Sequence, residues 1–361
     1  MEKYRINIPG WKLVMVIMFI SCTGQSERTT RRGQLSDPQS VYTDTSTNRI
    51  VYFSDDNGTT WKDKSHGLPD NVSLGIGGLA VSDHSVGIAT KEYGIYLYNS
   101  QEQVWTPLPT AQEIKKNNLG SLAFFKDQVY IGTQLNGVYN TSDNGHHWQN
   151  VKEGLENLSI RKLVPLGNRL YAGTMAGLYL LADQGKSWQL VVGSPSLQVN
   201  GITEFEGRIY IGTNQGIYTN ANSKREWKKI LDGYSIHNIR SDDECVYAMT
   251  YNELLSSTDH GNTWKSIQQG LPAALYTFDM IKKDHLLFAA QWDGVYRKSS
   301  EQDHWQHYSN GLPDNLAITN IKSNNTVIIV SGNEKGLRQG MTTNKKNAST
   351  MEIQLGNHSE T

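Results

Sequence analysis

Four stretches of the sequence share one pattern of eight residues: SDDNGTTW at 54–61, TSDNGHHW at 141–148, LADQGKSW at 181–188 and STDHGNTW at 257–264. In each stretch an Asp stands five residues before a Trp, and a Gly stands three residues before it. We call this pattern the Asp–Trp box. The paired positions are Asp56 and Trp61, Asp143 and Trp148, Asp183 and Trp188, and Asp259 and Trp264.

The composition of the box is typical of a tight turn between two extended segments. An Asp carboxylate can accept backbone N–H bonds across such a turn, and a Gly can adopt the positive φ that the turn requires. The Trp then begins the next strand, where its ring can cover a neighbouring layer while its indole N–H reaches a carbonyl oxygen. We therefore expect the boxes to be structural. The alternative, in which the four Asp residues are catalytic or bind a metal, is the less favoured interpretation.

The Trp residues also recur where the rest of the box has decayed. Boxes of this kind are YNSQEQVW at 98–105, NANSKREW at 220–227 and KSSEQDHW at 298–305. The complete series is Trp61, Trp105, Trp148, Trp188, Trp227, Trp264 and Trp305, with spacings of 44, 43, 40, 39, 37 and 41 residues. A period close to forty residues indicates an array of structural repeats.

Each period contains the signals of four short strands. The segments VYIGTQLNGVY, RLYAGTMAGLY and RIYIGTNQGIY precede Trp boxes, and apolar runs such as SLAFF and NGITEF precede those segments. Short runs rich in β-branched and aromatic residues, separated by Gly, Asn and Asp, favour strands over helices. Four strands repeated about seven times predict an all-β fold, a β-propeller built from four-stranded antiparallel blades.

The two ends of the array predict how the ring closes. The segment SNGLPDNLAITN at 309–320 matches SHGLPDNVSLGI at 65–76, so the array ends on the inner strands of a repeat and begins on outer strands. One blade shared by both ends would remove two exposed sheet edges. We therefore expect seven blades. Eight remain an alternative, because GLRQGMTT at 336–343 resembles a further third strand.

The boxes resemble the Asp boxes, or BNR repeats, of sialidases, sortilin-type receptors, xyloglucan-cleaving glucanases and photosystem assembly factors. The resemblance covers about residues 41–345, which we take as the propeller. It supports the fold and is weak evidence for function, because the same box occurs in enzymes and in binding proteins.

The N-terminal residues 1–21 have the pattern of a secretory signal. A charged start is followed by the apolar run LVMVIMFI, which is too short to span a bilayer. The sequence FISC that ends at Cys22 resembles a bacterial lipobox, which implies cleavage before Cys22 and acylation of its thiol. In that family, a residue other than Asp directly after the cysteine, here Thr23, implies sorting to the outer membrane. An ordinary signal peptide is the alternative.

We therefore expect an exported protein, anchored by lipid to the outer membrane and facing either the periplasm or the medium. Residues 22–40 would form the lipidated cysteine and a flexible tether, and 346–361 a polar tail. The anchor would be the only membrane contact. The second cysteine, Cys245, is expected to be a core thiol.

The composition of the chain limits the classes of partner that it can bind. The 361 residues have a formal net charge of −1, so no basic field is available for a nucleic acid. The array has neither a His or Cys cluster at metal spacing nor a phosphate-cradling Gly loop, so we expect no metal and no cofactor. The expected partner is a protein or a carbohydrate.

The resemblance implies that the box turns lie on one face of the ring, and that the loops between second and third strands lie on the other. Amides and carboxylates beside Tyr or Trp in those loops suit a carbohydrate or peptide ligand. Arg161 and His237, at the starts of inner strands, could reach the channel mouth. The alternative is that all of these are solvated turns or local hydrogen-bonding groups. The loop candidates are Lys91, Glu92, Tyr93, Asn136, Asn214, Gln215, Tyr251, Asn252, Glu253, Gln291, Trp292, Asp293 and Glu334.

No catalytic residue is assigned from the sequence. The arginine triad and Arg-Ile-Pro stretch of sialidases have no match in the expected mature chain. We favour a non-catalytic binding or assembly module. The alternative is a glycan-active hydrolase that uses two of Glu92, Glu253, Asp293 and Glu334, in which case the separation of the carboxylates decides the mechanism.

The lipid anchor can be tested directly. We expect Cys22→Ser to abolish metabolic labelling with a palmitate analogue, because the acylated thiol is lost. Cys245→Ser is the matched control and should label like the wild type. Unchanged labelling of Cys22→Ser would disprove the anchor.

Overall fold

The structure is a computed structural model that describes residues 49–220, 226–273, 275–299 and 301–335. The chain divides into two compact units, Met1–Thr43 and Asp44–Thr361, and the described residues all belong to the second. The expected signal segment, Cys22, the tether, the stretch 336–343 and the polar tail lie outside the described residues.

The described residues form twenty-eight strands. In chain order the first ten are β1 (Val51–Ser54), β2 (Lys62–Asp63), β3 (Leu74–Val81), β4 (Val86–Thr90), β5 (Gly94–Asn99), β6 (Val104–Leu108), β7 (Leu119–Phe125), β8 (Gln128–Thr133), β9 (Val138–Thr141) and β10 (Gln149–Val151). The next eight are β11 (Ile160–Leu166), β12 (Arg169–Thr174), β13 (Gly177–Ala182), β14 (Ser187–Gly193), β15 (Val199–Phe205), β16 (Arg208–Thr213), β17 (Gly216–Asn220) and β18 (Trp227–Leu231). The last ten are β19 (Ile236–Ser241), β20 (Val246–Thr250), β21 (Leu254–Ser257), β22 (Lys265–Ser266), β23 (Asp279–Lys283), β24 (Leu286–Gln291), β25 (Gly294–Ser299), β26 (Gln306–His307), β27 (Leu316–Ser323) and β28 (Ile328–Glu334). A short helix, α1 (Gln112–Lys115), and a 3-10 turn, Asp183–Gly185, complete the elements.

The strands pair into seven four-stranded antiparallel sheets, each of which is one blade. Blade 1 has the order β27, β28, β1, β2, and blades 2 to 7 are the successive groups of four strands from β3 to β26. The first strands of neighbouring blades contact each other around the whole ring, including β23 with β27 and β27 with β3. The predictions of an all-β, seven-bladed propeller and of a blade shared by both ends are confirmed.

The position of the second strands explains why their sequences are continuously apolar. They lie inside the blades, with a neighbouring blade on each side, and every residue of β4 and β20 is buried. A strand that is covered on both faces needs apolar residues at consecutive positions, whereas a half-exposed strand would alternate. The Tyr-x-Gly-Thr motif of these strands is therefore a consequence of stacking.

Antiparallel pairing fixes which connections share a face. Each blade runs first to fourth strand with alternating direction, so the first-to-second and third-to-fourth turns lie at one end of the strands. The second-to-third loops and the connections between blades lie at the opposite end. We call these the box face and the loop face.

The Asp56 box shows the chemistry of the turn. The Asp56 carboxylate accepts hydrogen bonds from Ser54 Oγ at 2.8 Å, from the backbone N–H of Thr60 at 2.9 Å and from Thr60 Oγ1 at 2.6 Å. Gly58 has φ of +75°, which an L-residue adopts only with strain. Thr60, the residue before Trp61, thus holds the turn together with Asp56.

Two of the other boxes repeat this arrangement, and one differs. Asp143 and Asp259 accept the equivalent backbone and side-chain bonds from His147 and Thr263. Among the described residues, the Asp183 carboxylate is bonded only by the Ser187 hydroxyl. This box lies in the 3-10 turn, and Leu181 replaces the hydroxyl residue that begins the other three.

The Trp residues connect neighbouring blades. Trp61 Nε1 of blade 1 donates to the Tyr308 carbonyl oxygen after blade 7, at 2.8 Å. Trp105, Trp148, Trp188 and Trp305 donate in the same way to Lys64, Pro109, Val151 and Ile267, at 2.6 to 2.9 Å. Trp264 differs, because its Nε1 donates to Gly261 of its own turn. The indole thus satisfies a carbonyl of the preceding blade while the ring is removed from water.

We expect Asp56→Ala to lower the free energy of unfolding by about 1 kcal/mol, because the backbone N–H of Thr60 loses its acceptor in an exposed turn. Asp183→Ala is the control within the chain and should cost less, since among the described residues the Asp183 carboxylate accepts no backbone N–H. Urea unfolding of the two variants measures the difference. Equal losses would show that the turn bonds do not carry the effect.

The same box predicts a dependence on pH. Burial would raise the pKa of Asp56, but the hydrogen bonds from Thr60 and Ser54 outweigh it and lower the pKa to about 2. A lowered carboxyl pKa stabilises the fold above its unfolded value of about 4, and that contribution is lost as pH falls through the folded value. The stability difference between the wild type and Asp56→Ala should therefore shrink between about pH 4 and pH 2.

Candidate functional site

The loops of the loop face are held by threonine residues that end the second strands. Thr90 Oγ1 donates to the Gly94 carbonyl oxygen at 2.8 Å and accepts from the Tyr93 backbone N–H at 3.0 Å. Thr133, Thr174, Thr213 and Thr250 make the equivalent pairs of bonds in their blades. The repeated Thr of the Tyr-x-Gly-Thr motif is the signal for this role, which the sequence analysis did not assign. The loop side chains therefore project from fixed turns.

An aromatic cluster lies on this face across blades 6 and 7. We define it as His237, Tyr251, Tyr276, Phe278 and Trp292. The His237 ring lies 5.4 Å from the Tyr251 ring and 4.9 Å from the Tyr276 ring, measured between centroids. The series continues from Tyr276 to Phe278 at 4.6 Å and from Phe278 to Trp292 at 5.8 Å. These contacts join two second-to-third loops and the connection between the blades into one surface.

Exposed apolar side chains concentrate on the same face. Among the described residues, the large apolar side chains with high exposure are Tyr93, Leu135, Leu190, Tyr234 and Tyr251. Leu190 lies on the outer strand β14. The other four lie in loops of the loop face, and Tyr251 of the cluster is 56% exposed. These four residues belong to different loops, and among them Tyr251 is the one that packs in the aromatic cluster.

Arg161 and His237 lie where the first strands begin, at the rim of the channel. Arg161 Nε donates to Asn200 Oδ1 at 2.5 Å, and Asn200 Nδ2 donates to the Ile236 carbonyl oxygen at 2.8 Å. His237 Nε2 lies 2.5 Å from the Thr277 carbonyl oxygen. These bonds connect blades 4 to 7 along the rim. Arg161 Nη1 also lies 3.5 Å from the Met175 sulfur in the second-to-third loop of its own blade.

The His237 ring is neutral at physiological pH. Burial lowers its pKa to about 4, and the bond to the Thr277 carbonyl oxygen opposes this shift only in part. A neutral imidazole donates from one nitrogen, and the short contact to a carbonyl assigns the proton to Nε2. The aromatic cluster therefore carries no charge of its own.

Two predicted ligand-binding residues differ from expectation. Gln291 is fully buried and ends β24, where its Nε2 donates to Thr277 Oγ1 at 2.6 Å. Its side chain is therefore not exposed on the surface of the loop face. Trp292 lies in its loop as predicted, but its ring is half-buried against Phe278. The connection between the blades folds over both residues, which the spacing of the repeats does not reveal.

Several predicted residues hold the loops themselves. Asn214 Oδ1 accepts the Gln198 backbone N–H at 2.9 Å, and Gln215 Nε2 donates to the Ser196 carbonyl oxygen at 3.2 Å. Asn136 Nδ2 lies 2.5 Å from the Tyr139 hydroxyl oxygen. Lys91, Glu92 and Asn252 are exposed and lie on the face without such a role in the described contacts.

The four candidate carboxylates are distributed over four blades. Glu334, Glu92, Glu253 and Asp293 belong to blades 1, 2, 6 and 7. Asp293 Oδ2 accepts the Tyr296 hydroxyl at 2.9 Å, and burial together with this carboxylate raises the pKa of the Tyr296 hydroxyl. The Asp293 carboxylate is thus already hydrogen-bonded to a side chain of its own blade. The described residues contain no group of three metal-ligating side chains, and none of their helices is long and apolar enough to cross a membrane.

Comparison with solved structures places this architecture among known propellers. The chain is similar to an extracellular domain of the two-component system BT4673 from B. thetaiotaomicron, with TM-score 0.61, 16% identity, and 75% of this chain and 38% of that chain covered. It is similar to YCF48 bound to D1 peptide, with TM-score 0.56, 14% identity, and coverages of 74% and 99%. It is also similar to the GH74 xyloglucanase of Xanthomonas campestris, with TM-score 0.53, 16% identity, and coverages of 79% and 57%.

These similarities support the propeller fold and no particular activity. The identities are low, and the chain spans 38% of the length of the first of these structures. No family model matches the sequence, and no curated protein matches it.

The packing of the cluster predicts different stability effects for its two large loop rings. We expect Trp292→Ala to lower the free energy of unfolding by about 1–2 kcal/mol, because a half-buried ring loses its contact with Phe278. Tyr251→Ala should cost about 0.5 kcal/mol, since more than half of that side chain is exposed. Urea unfolding distinguishes the two, and the reverse order would contradict this account of the cluster.

Proposed function

We propose that the protein is a non-catalytic binding or assembly module whose ligand, a protein or a glycan, docks on the aromatic cluster of the loop face. The observation that carries this proposal is the aromatic cluster itself, whose Tyr251 ring is 56% exposed and packs against His237 and Tyr276. Rings in fixed positions lose little conformational entropy when a ligand covers them, and aromatic residues dominate binding energy at interfaces.

The electrostatics of the surface supports the same proposal. The cluster is neutral because His237 is neutral, while Arg161 lies at the start of a first strand on the same face. A neutral apolar centre with a polar and charged rim is the usual anatomy of a recognition surface. Of the candidate carboxylates of the face, Asp293 is already bonded to Tyr296 within its blade.

We also propose that the Asp–Trp boxes are Asp boxes, or BNR repeats. The same proposal includes export of the protein and a lipid anchor at Cys22. A tether that ends in a lipid would hold the ring near the membrane, so a partner at or near that membrane would meet it at high local concentration. The extracellular domain of BT4673 is consistent with an exported propeller of this fold.

The test is a comparison of three purified proteins: the wild type, Tyr251→Ala and Leu190→Ala. Leu190 is the matched control because it is an exposed apolar side chain on the outer strand β14, away from the cluster. Each protein is immobilised and exposed to detergent-solubilised envelope and to a glycan array. We expect Tyr251→Ala to weaken binding of the captured ligand about tenfold or more, and Leu190→Ala to leave it unchanged.

Two outcomes would overturn the proposal. Equal binding by all three proteins, or a ligand footprint on the box face, would show that the aromatic cluster is not the contact surface. Turnover of fluorogenic glycosides by the wild type, lost when Glu253 or Asp293 is replaced by Ala, would establish the hydrolase alternative instead.

A further inference from the structure

Four of the connections between blades cover the Trp of the next blade in the same way. Each contains an x-Gly-Leu sequence, five to seven residues after the Trp of its own blade. The carbonyl oxygen of the residue before the Gly accepts the backbone N–H of the next Trp, at 2.8 to 3.0 Å. We call these sequences the covering segments. They are 66–68 over Trp105, 153–155 over Trp188, 269–271 over Trp305 and 310–312 over Trp61.

The Gly of a covering segment is required by its close approach to the Trp backbone. In all four segments the Gly has a positive φ, and a Cβ on it would collide with the carbonyl oxygen of the covered Trp. A residue without a Cβ is therefore needed at this place. The four covered Trp residues are 1% to 4% exposed. The covering segment thus completes the burial of the Trp.

The connection before Trp148 of blade 3 departs from this pattern. Thr110 and Ala111 stand where the covering segments have x-Gly. Ala111 carries the Cβ that this place excludes, and with φ −64° and ψ 149° it leads the chain into α1. Among the described contacts, the Trp148 backbone N–H has no bond to this connection, and Trp148 is partly exposed. The indole Nε1 still donates to Pro109, so the backbone and part of the ring are what remains uncovered.

The length of this connection leaves an open space beside Trp148. The connections before blades 5 and 6 also lack a covering segment, but they are short, with residues 194–198 and 232–235 between the flanking strands. The connection before blade 3 comprises residues 109–118 and is at least twice as long. It is held away from Trp148 by α1, whose Ile114 is buried. The chain therefore runs beside the Trp and not over it.

The space is a groove of about 760 Å³ between blades 2 and 3, which we call the Trp148 groove. The connection with α1 and the box turn before Trp148 line it, together with Tyr93, Tyr96 and Tyr139. Tyr93 is 41% exposed. The Tyr139 hydroxyl accepts a hydrogen bond from Asn136 Nδ2, so its own hydrogen can donate to a ligand. The groove therefore offers aromatic surface and hydroxyl donors beside an uncovered Trp.

The groove does not suit an added β-strand. Its wall contains Pro107, which lies on the outer strand β6, and Pro109, which follows that strand. Neither residue has a backbone N–H, so this edge cannot form the regular ladder of strand addition. A peptide in the groove must instead cross the Trp as the covering segments do in other blades.

We propose that the Trp148 groove binds an x-Gly-Leu segment of a partner protein, in the place over Trp148 that a covering segment has in four other blades. The carbonyl oxygen before the Gly accepts the Trp148 N–H, the Gly lies against the Trp148 backbone, and the Leu contacts the apolar wall at Leu108 and Ile114. The occupant is argued from the chain itself, which makes the equivalent contacts four times. This site is separate from the aromatic cluster and does not depend on the function proposed for that cluster.

The test uses the full-length protein and a labelled synthetic peptide with the sequence of residues 308–314, YSNGLPD. The matched control peptide carries Gly311→Ala. The titration extends to millimolar concentrations, because a free peptide lacks the effective concentration of a connected segment. We expect saturable binding of the first peptide by fluorescence anisotropy. The control should bind about tenfold more weakly or worse, since its Cβ collides with the Trp backbone.

A pair of protein variants locates the binding in the groove. Tyr93→Ala should weaken binding of the YSNGLPD peptide about tenfold, because an aromatic wall of the groove is lost. Tyr234→Ala is the matched control, since Tyr234 is an exposed loop ring of similar exposure, 38%, that does not line the groove. It should bind the peptide like the wild type.

Hydrogen exchange tests the contact with Trp148 directly. The Trp148 backbone N–H should exchange more slowly when the peptide is bound, because the peptide carbonyl accepts it. The proposal is overturned if neither peptide binds saturably, if the Gly311→Ala peptide binds equally well, or if both Tyr variants lose binding to the same extent. Slower exchange of this N–H with a glycan, and with neither peptide, would assign the groove to a glycan and would also overturn it.

Discussion

A ring of sheets is stable only if the surfaces between its sheets are packed and hydrogen-bonded all the way round, and in five of the seven repeats the Trp residue contributes a hydrogen bond to that packing. Five indole N–H groups donate to carbonyl oxygens that belong to the preceding blade or follow it. Each ring covers apolar surface at the same place. A blade alone would expose both faces of its second strand, so neither the fold nor the loops would persist without these contacts between blades.

Closure through blade 1 follows from the same requirement. A propeller whose first and last blades met without sharing strands would depend on side-chain contacts alone at that junction. Here β1 pairs with β28 over four residues, from Val51 with Ser331 to Ser54 with Ile328. Backbone hydrogen bonds therefore hold the two ends of the array together, and Trp61 adds its indole bond to Tyr308.

The features that could be predicted from the sequence are those that each repeat must contain. The Trp period, the box and the apolar second strand recur because every blade meets the same neighbours, so fold, blade number and closure were all accessible. The roles of individual loop residues were less accessible. Gln291 and Asn136 have the same polar character, yet Gln291 is buried under Thr277 and Asn136 bonds to Tyr139 at the loop. The difference arises from the connection between blades, whose length and path vary from one repeat to the next.

The residues inside the channel were the hardest to predict, for a related reason. Arg240 and Lys322 form buried ion pairs with Asp279, from which they are 39 and 43 residues away in the sequence, and no recurring motif marks the three residues. They come together only because the ring places the first strands of blades 6, 7 and 1 side by side. Repetition therefore specifies the scaffold, whereas the departures from repetition specify its chemistry. The aromatic cluster obeys the same rule, since Tyr251, Tyr276 and Trp292 occupy positions where other blades have different residues. In a protein built from near-identical blades, a ligand can distinguish one part of the ring from another only through such positions.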